Sequence, residues 1–189
     1  MSACIKYNEW EPAFDEYGCF DATFESVTCE EGTRTYLDAN IKLLWHAEDE
    51  ISIFTTTLNE KFTYNGKTGD NSGTFSKVST GDFGAGNELD RNFAVYPYDA
   101  INRIENDESF LTVPLYATQY YAEGSVGKGA NTAVAVTSGP GDLLLKFKNA
   151  GSFLRVRIYG DCLPIESVVL QGKNIENLAG MAKIVASNM

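Results

Sequence analysis

Apolar and polar residues alternate with a period of two along most of the chain, which is the pattern of half-buried β-strands. No stretch shows a sustained helical period of about 3.6 residues. The alternating segments are short, rich in β-branched and aromatic residues, and bounded by turn formers. They comprise residues 20–24, 40–45, 51–55, 61–64, 73–77, 92–96, 109–113, 131–137, 143–148, 153–159 and 167–171. Residues 175–179 are predicted to form one helical turn.

Turn sequences separate these segments at short intervals. Asn65-Gly66 and the stretches 69–73, 81–84 and 138–141 combine Gly, Asn, Asp, Ser and Pro. Gly and Asn tolerate positive φ, and Pro fixes φ near about −65°. Many short strands joined by such turns predict an all-β protein, and more specifically an antiparallel β-sandwich.

The turn at residues 138–141 is the clearest candidate for a domain boundary. Residues 20–140 contain enough strands for one sandwich, and residues 1–19 precede it as a linker. Residues 141–189 contain only about three strands, and roughly fifty residues rarely form a stable domain unaided. These strands either complete the first sandwich or begin a second, incomplete one. We favour the second interpretation.

Composition and charge exclude several classes of protein. The chain has 189 residues, with 15 Lys+Arg and 26 Asp+Glu, so its net charge is 15 − 26 = −11. Its 43% hydrophobic and 22% charged residues are ordinary globular values and exclude wholesale disorder. The negative charge argues against nucleic acid or an anionic membrane as partner, because phosphate contacts need Lys and Arg. No apolar run reaches the roughly 18 residues of a transmembrane helix.

The N-terminal residues carry a short motif around the first cysteine. They have no charged n-region and no apolar h-region, so they are not an intact signal peptide. Ser2-Ala3-Cys4 matches the last three positions of a bacterial lipoprotein box. Two interpretations are equally open. Cys4 is a lipid anchor in a chain whose true start lies upstream, or the tripeptide is a chance match.

The other cysteines are Cys19, Cys29 and Cys162, and His46 is the only histidine. A structural zinc site needs three or four nitrogen or sulfur ligands at close spacing, so none is expected. Cys19 and Cys29 either bridge neighbouring strands in an oxidising compartment or are small buried hydrophobic residues, and we favour the latter. No cofactor and no metal ion are predicted.

No residue pattern predicts catalysis. His46 follows a strand end, and the sequence has no Gly-x-Ser-x-Gly nucleophile motif. The acidic residues 48–50 are adjacent, so their side chains point in different directions instead of forming a carboxylate pair. Residues 124–129 fail the phosphate-loop pattern. Three aspartates in Gly-rich loops lack the calcium-loop spacing, namely Asp70, Asp82 and Asp90. We therefore predict that the protein is not an enzyme.

Four tyrosines are candidates for a ligand-binding platform, namely Tyr96, Tyr98, Tyr120 and Tyr121. Exposed aromatic rings stack on the apolar faces of ligands such as sugars. The commoner role of a tyrosine at a strand edge is partial burial in a core.

The order of several short motifs is distinctive. Thr-Arg-Thr-Tyr-Leu-Asp at residues 33–38 precedes Leu-Trp-His-Ala-Glu-Asp-Glu-Ile-Ser-Ile-Phe at residues 44–54. Phe-Ala-Val-Tyr-Pro-Tyr follows at residues 93–98, and Gln119 then follows Pro114. The last matching segments are residues 143–149, 153–156 and 165–172. Over about residues 20–180, this series resembles the fimbrillin-like proteins of Bacteroidales.

The resemblance implies tandem transthyretin-like β-sandwich domains of Greek-key type in an exported lipoprotein of the outer membrane and cell surface. The family includes shaft, anchor and tip subunits of type V pili. In such pili an Arg- or Lys-specific protease removes the lipid with an N-terminal segment. The vacated groove then accepts a strand from the next subunit, which satisfies its unpaired backbone and fills its core.

Carried over to this chain, the resemblance makes Cys4 the lipid site and Arg34 a processing point. Residues 20–27 become the strand that is removed or exchanged. The predicted function is a cell-surface structural or adhesion subunit of a type V-like pilus, with other pilus subunits as partners. The alternative is a surface lipoprotein module that binds a glycan or host ligand through the tyrosines. Membrane contact is expected only through the lipid anchor.

Overall fold

The structure is a computed structural model, and the described residues are all-β, as predicted. It describes residues 18–24, 43–78, 86–105, 108, 110–120, 130–151, 153–154, 156, 158–160, 164–174 and 176–185. The strands are β1 (Cys19–Phe24), β2 (Glu50–Thr56), β3 (Glu60–Tyr64), β4 (Ser72–Lys77), β5 (Glu88–Tyr96), β6 (Arg103–Ile104), β7 (Phe110–Leu115), β8 (Ala133–Val136), β9 (Leu144–Asn149) and β10 (Gly180–Val185).

Seven strands form a closed barrel in the order β1-β4-β3-β2-β5-β8-β9. Six of the neighbouring pairs are antiparallel, and the pair of β1 with β9 is parallel. The remaining strands form a three-stranded antiparallel sheet in the order β10-β7-β6. The main sheet is therefore a barrel instead of one layer of the predicted sandwich, because β1 pairs with β9 as well as with β4.

The barrel encloses a core that is rich in aromatic residues. Inward positions recur at every second residue of a strand, as the pleat requires. In β1 these positions are Phe20, Ala22 and Phe24, and all three are buried. The same core contains Trp45, Ile51, Ile53, Phe62, Tyr64, Phe75, Ala94, Tyr96, Ala133, Ala135, Leu145 and Phe147.

A second core lies between the outside of the barrel and the three-stranded sheet. Barrel strands β2, β5 and β8 contribute Phe54, Leu89, Phe93, Val95 and Val134, and the sheet contributes Ile104, Leu111 and Val113. The last five residues of β5, Asn92 to Tyr96, are all buried, since both faces of this strand are covered. A strand buried on both faces loses the polar alternation that marks a solvent-facing strand.

Eight of the predicted segments correspond to strands, namely β1, β2, β3, β4, β5, β7, β8 and β9. The short strand β6 and the late strand β10 were not predicted. The described residues of 43–45, 153–159 and 167–171 are not in strands, and those of 175–179 are not helical. Within 153–170, several large apolar side chains are exposed, including Leu154, Val156, Ile158, Val169 and Leu170.

The predicted boundary at residues 138–141 does not separate β9 from the barrel. β9 pairs with β8 on one side and with β1 on the other. Its inward residues Leu145 and Phe147 are fully buried in the barrel core. β10 likewise pairs with β7, along all six of its residues. Both late strands therefore complete the assembly that residues 20–140 begin.

Candidate functional site

Strand β1 closes the barrel by pairing on both of its edges. It runs antiparallel to β4, with registers from Cys19 opposite Ser76 to Thr23 opposite Ser72. It runs parallel to β9, where Phe24 is the partner of Phe147. Without β1, the facing edges of β4 and β9 would each present unpaired backbone groups, which is the usual template for strand addition.

The inward side chains of β1 fill the barrel core with aromatic contacts. The ring of Phe24 stacks on Trp45 with a centroid distance of 4.1 Å and an interplanar angle of 26°. The same ring lies 6.1 Å from Phe147. Phe20 meets Phe62 edge to face at 5.5 Å. β1 therefore contributes two of the large rings of this core, and its removal would expose the apolar side chains that these rings contact.

The outward side chains of β1 make polar contacts with β4 and the loop before it. The Thr74 hydroxyl donates a hydrogen bond of 2.7 Å to Asp21 Oδ1, and the Thr23 hydroxyl donates one of 3.1 Å to Asn71 Oδ1. Cys19 is an exposed free thiol 3.4 Å from the Ser76 hydroxyl. This corrects the expectation that Cys19 is a buried residue, because its position in the pleat faces outward.

Tyr96 belongs to the barrel core and not to the surface. It is 8% exposed, and its ring meets Trp45 edge to face at 5.5 Å. Its hydroxyl lies 3.4 Å from Oδ1 of Asp49, a buried carboxylate whose other oxygen accepts a 2.7 Å hydrogen bond from the His46 backbone N–H. Tyr96 therefore cannot stack on an external ligand. Asp49 points inward whereas Glu48 is exposed, as expected for adjacent acidic residues.

Tyr64 lies near the same end of the barrel, and its hydroxyl reaches outward. The hydroxyl is 3.3 Å from Asp70 Oδ2 and 3.2 Å from the Ser72 carbonyl oxygen. Burial of the ring and the adjacent Asp70 carboxylate raise the pKa of Tyr64 above its ordinary value. Asp70 is thus occupied as a hydrogen-bond acceptor within the loop.

The other predicted tyrosines are placed differently from Tyr96. Tyr98 is half-buried, and the ammonium of Lys61 lies 4.5 Å from the centroid of its ring. Tyr120 is 79% exposed. Tyr121 lies outside the described residues, as do Cys4, Cys29, Arg34, Asp82 and Cys162. The structure therefore does not assemble the predicted tyrosines into one platform.

A different surface tyrosine is anchored beside Tyr98. The hydroxyl of Tyr116 donates a hydrogen bond to Asp99 Oδ2, and Asp99 Oδ1 accepts one of 3.0 Å from the Ile101 backbone N–H. The bond to Asp99 raises the pKa of Tyr116. The sequence around Tyr116 does not predict this contact, because its partner lies in a loop 17 residues earlier in the chain.

The described residues contain no group of three or more His, Cys, Asp and Glu side chains placed to hold a metal ion. Within the same residues, no helix has the length and hydropathy needed to cross a membrane. We compared the chain with models of protein families, with curated proteins and with solved structures, and none of the three comparisons gives a significant match.

Proposed function

We propose that the protein is a cell-surface structural subunit of a type V-like pilus that assembles by β-strand exchange. The observation that supports this proposal is the position of β1. This N-terminal strand is paired on both edges and buries Phe20, Ala22 and Phe24 in the barrel core. Removing it would create a groove with two unpaired edges and an apolar floor, which is the chemistry that an incoming strand requires.

The order of elements along the chain supports the same mechanism. Cys4 precedes β1, and Arg34 lies between β1 and β2. Cleavage after Arg34 would therefore separate both the lipid site and β1 from β2 to β10. Under this proposal the barrel with its attached sheet is a variant of the transthyretin-like domain, and the exported protein is held at the outer membrane by lipidated Cys4 until it is processed.

The proposal is tested on the native cell-envelope fraction by an SDS gel run with and without boiling. An antibody to residues 20–140 should detect a ladder of heat-sensitive oligomers. The Arg34→Ala variant should lose the ladder and keep a single band, because β1 stays attached. Arg103→Ala, which changes an exposed arginine on β6, serves as the control and should keep the ladder. A single band unaffected by boiling in the unmodified protein would overturn the proposal.

A second candidate function is a surface module that binds a glycan or another host ligand. The observation in its favour is the pair of surface tyrosines that flank Asp99, namely half-buried Tyr98 and exposed Tyr116. Solvent-exposed rings held in place beside polar groups are typical of small-molecule recognition. This function requires no strand exchange, so the gel described above separates the two candidates.

A further inference from the structure

The loop between β5 and β6 holds an exposed tyrosine, which directly follows β7, in a fixed position. Tyr116 is 55% exposed, yet its hydroxyl is bound to the carboxylate of Asp99. The same carboxylate accepts the backbone N–H of Ile101, whose side chain is 50% exposed. An aromatic ring and an aliphatic side chain are therefore held around one carboxylate on the surface.

Hydrogen bonds from two asparagine side chains fix the loop between β5 and β6 in place. Asn59 Nδ2 donates to the carbonyl oxygens of Asp99 and Asn102 at 2.7 Å and 3.1 Å. The buried Asn102 side chain donates to the Ser52 hydroxyl and to the Pro97 carbonyl oxygen, both at 3.0 Å. These bonds tie the loop to β2 and to the segment before β3. A site whose supporting contacts are already formed binds without the cost of ordering its own loop.

Contacts of Tyr98, the residue before Asp99, add a cation and a second carboxylate. The Tyr98 backbone N–H donates a 2.8 Å bond to the Glu50 carbonyl oxygen. Lys61 Nζ lies 3.0 Å from Glu50 Oε1 and 4.5 Å from the centroid of the Tyr98 ring. Lys61 is a hydrogen-bond donor and Asp99 and Glu50 are acceptors, while the Tyr116 hydroxyl, whose hydrogen is donated to Asp99, can only accept from a ligand.

We propose that Lys61, Tyr98, Asp99, Ile101 and Tyr116, here called the Tyr116 patch, bind a neutral saccharide. This inference rests on the second candidate function and names its ligand class and its residues. The Tyr116 ring would pack against the C–H face of a sugar ring, with Ile101 extending the apolar contact. Asp99 and Lys61 would accept from and donate to the sugar hydroxyls.

The charges of the patch favour a neutral ligand over an ionic one. An anion would meet the carboxylates of Asp99 and Glu50 and a chain with a net charge of −11. A cation would meet Lys61, which already lies over the Tyr98 ring and beside Glu50. A hydroxyl group both donates and accepts, so it can use both kinds of group that the patch offers.

The test uses the full chain on an array of neutral glycans with terminal glucose, galactose, mannose or N-acetylglucosamine, together with sialylated counterparts. The glycan bound best is then titrated by calorimetry. Tyr116→Ala should weaken binding about tenfold, because it removes the ring that packs against the sugar. Asp99→Asn, which keeps the shape and removes the charge, should weaken binding to a similar extent. Tyr116→Phe should fall between these variants and the unmodified chain.

Two control variants decide how a failure is interpreted. Tyr159→Ala changes a tyrosine that is 83% exposed and is not one of the patch residues, and it should bind as the unmodified chain does. Binding that survives Tyr116→Ala and Asp99→Asn but is lost in Tyr120→Ala would overturn this site while leaving the binding function intact. No binding to any neutral glycan would overturn both, and preference for the sialylated counterparts would overturn the neutral ligand class.

Discussion

Replacement of Phe24 by Ala tests whether β1 occupies the barrel core as described. The ring of Phe24 is 6% exposed and stacks on Trp45 at 4.1 Å. Phe→Ala changes in a packed core lower the free energy of unfolding by about 3–5 kcal/mol, because the lost transfer energy adds to that of the cavity. In a chain of this size each kcal/mol lowers the midpoint of thermal unfolding by about 2–4 °C, so a decrease of about 10 °C is expected.

Urea unfolding followed by tryptophan fluorescence measures the change in the free energy of unfolding with a reporter that contacts Phe24 directly. The sequence has two tryptophans, so a Trp10→Phe background leaves Trp45 as the single reporter. Loss of the stacked Phe24 ring should change the emission of Trp45 in the folded state as well as the urea midpoint. The slope of the transition should stay constant if the extent of unfolding is unchanged.

The matched control is Thr23→Ala, one residue away on the opposite face of the same strand. It removes the Thr23 hydroxyl, which lies within hydrogen-bond distance of Asn71 Oδ1 at 3.1 Å and of the Phe24 carbonyl oxygen at 3.3 Å, and should lower the free energy of unfolding by about 1 kcal/mol or less. The placement of Phe24 in the barrel core is refuted if Phe24→Ala lowers the free energy of unfolding no more than Thr23→Ala does. The inward face of β1 would then stabilise the fold no more than its outward face.

Three further predictions concern single positions. Gly73→Ala places a Cβ 2.6 Å from the ring of Tyr64 and should lower the free energy of unfolding in urea by about 1–3 kcal/mol. The control Gly139→Ala meets nothing within 4 Å and should lower it far less, and equal effects of the two variants would contradict the close packing of Gly73 against Tyr64. Ultraviolet difference titration should show Tyr64 and Tyr116 ionising above the usual range, and Tyr64→Phe should remove one of these late steps and leave the other. Since the folded pKa of Tyr64 is raised, its contribution to stability is complete below the unfolded pKa of about 10 and disappears as the pH rises through the folded value. Hydrogen bonds from the Ser138 backbone and hydroxyl lower the pKa of Asp142, so this group stabilises the fold above the unfolded pKa of about 4 and ceases to do so as the pH falls through the folded value. Asp142→Asn should therefore reduce stability at pH 7, and the loss should shrink as the pH falls below about 4; a loss that does not change with pH would contradict this.

Sequence periodicity was sufficient to predict a strand where that strand is long and apolar. β2 and β5 carry β-branched and aromatic residues between clear turns, and both were predicted. Periodicity alone failed for residues 153–159, which alternate like a strand yet have no strand partner among the described residues. It also failed for β10, whose Gly180-Met-Ala-Lys sequence has little strand character and forms a strand because β7 is beside it.

The candidate sites likewise depend on long-range contacts that local sequence patterns do not predict. Whether β1 forms a sandwich edge or closes a barrel depends on its pairing with β9, which no local pattern encodes. Tyr96 and Tyr98 look equivalent in the sequence, but the first ends β5 inside the barrel and the second begins the following loop. The contact of Tyr116 with Asp99 likewise follows from the path of the chain between β5 and β7.

The parallel pairing of β1 with β9 also has a consequence for the time course of folding. Asp21 lies opposite Leu144, so this contact spans 144 − 21 = 123 residues. Contacts this far apart in sequence form late, because the entropy of closing the intervening loop must be lost first. During synthesis β1 emerges first, yet its partner β9 is completed only after the other six barrel strands. We therefore expect the barrel to close last at the β1–β9 seam, so that newly made chains pass through an open state with two free edges, one on β1 and one on β9.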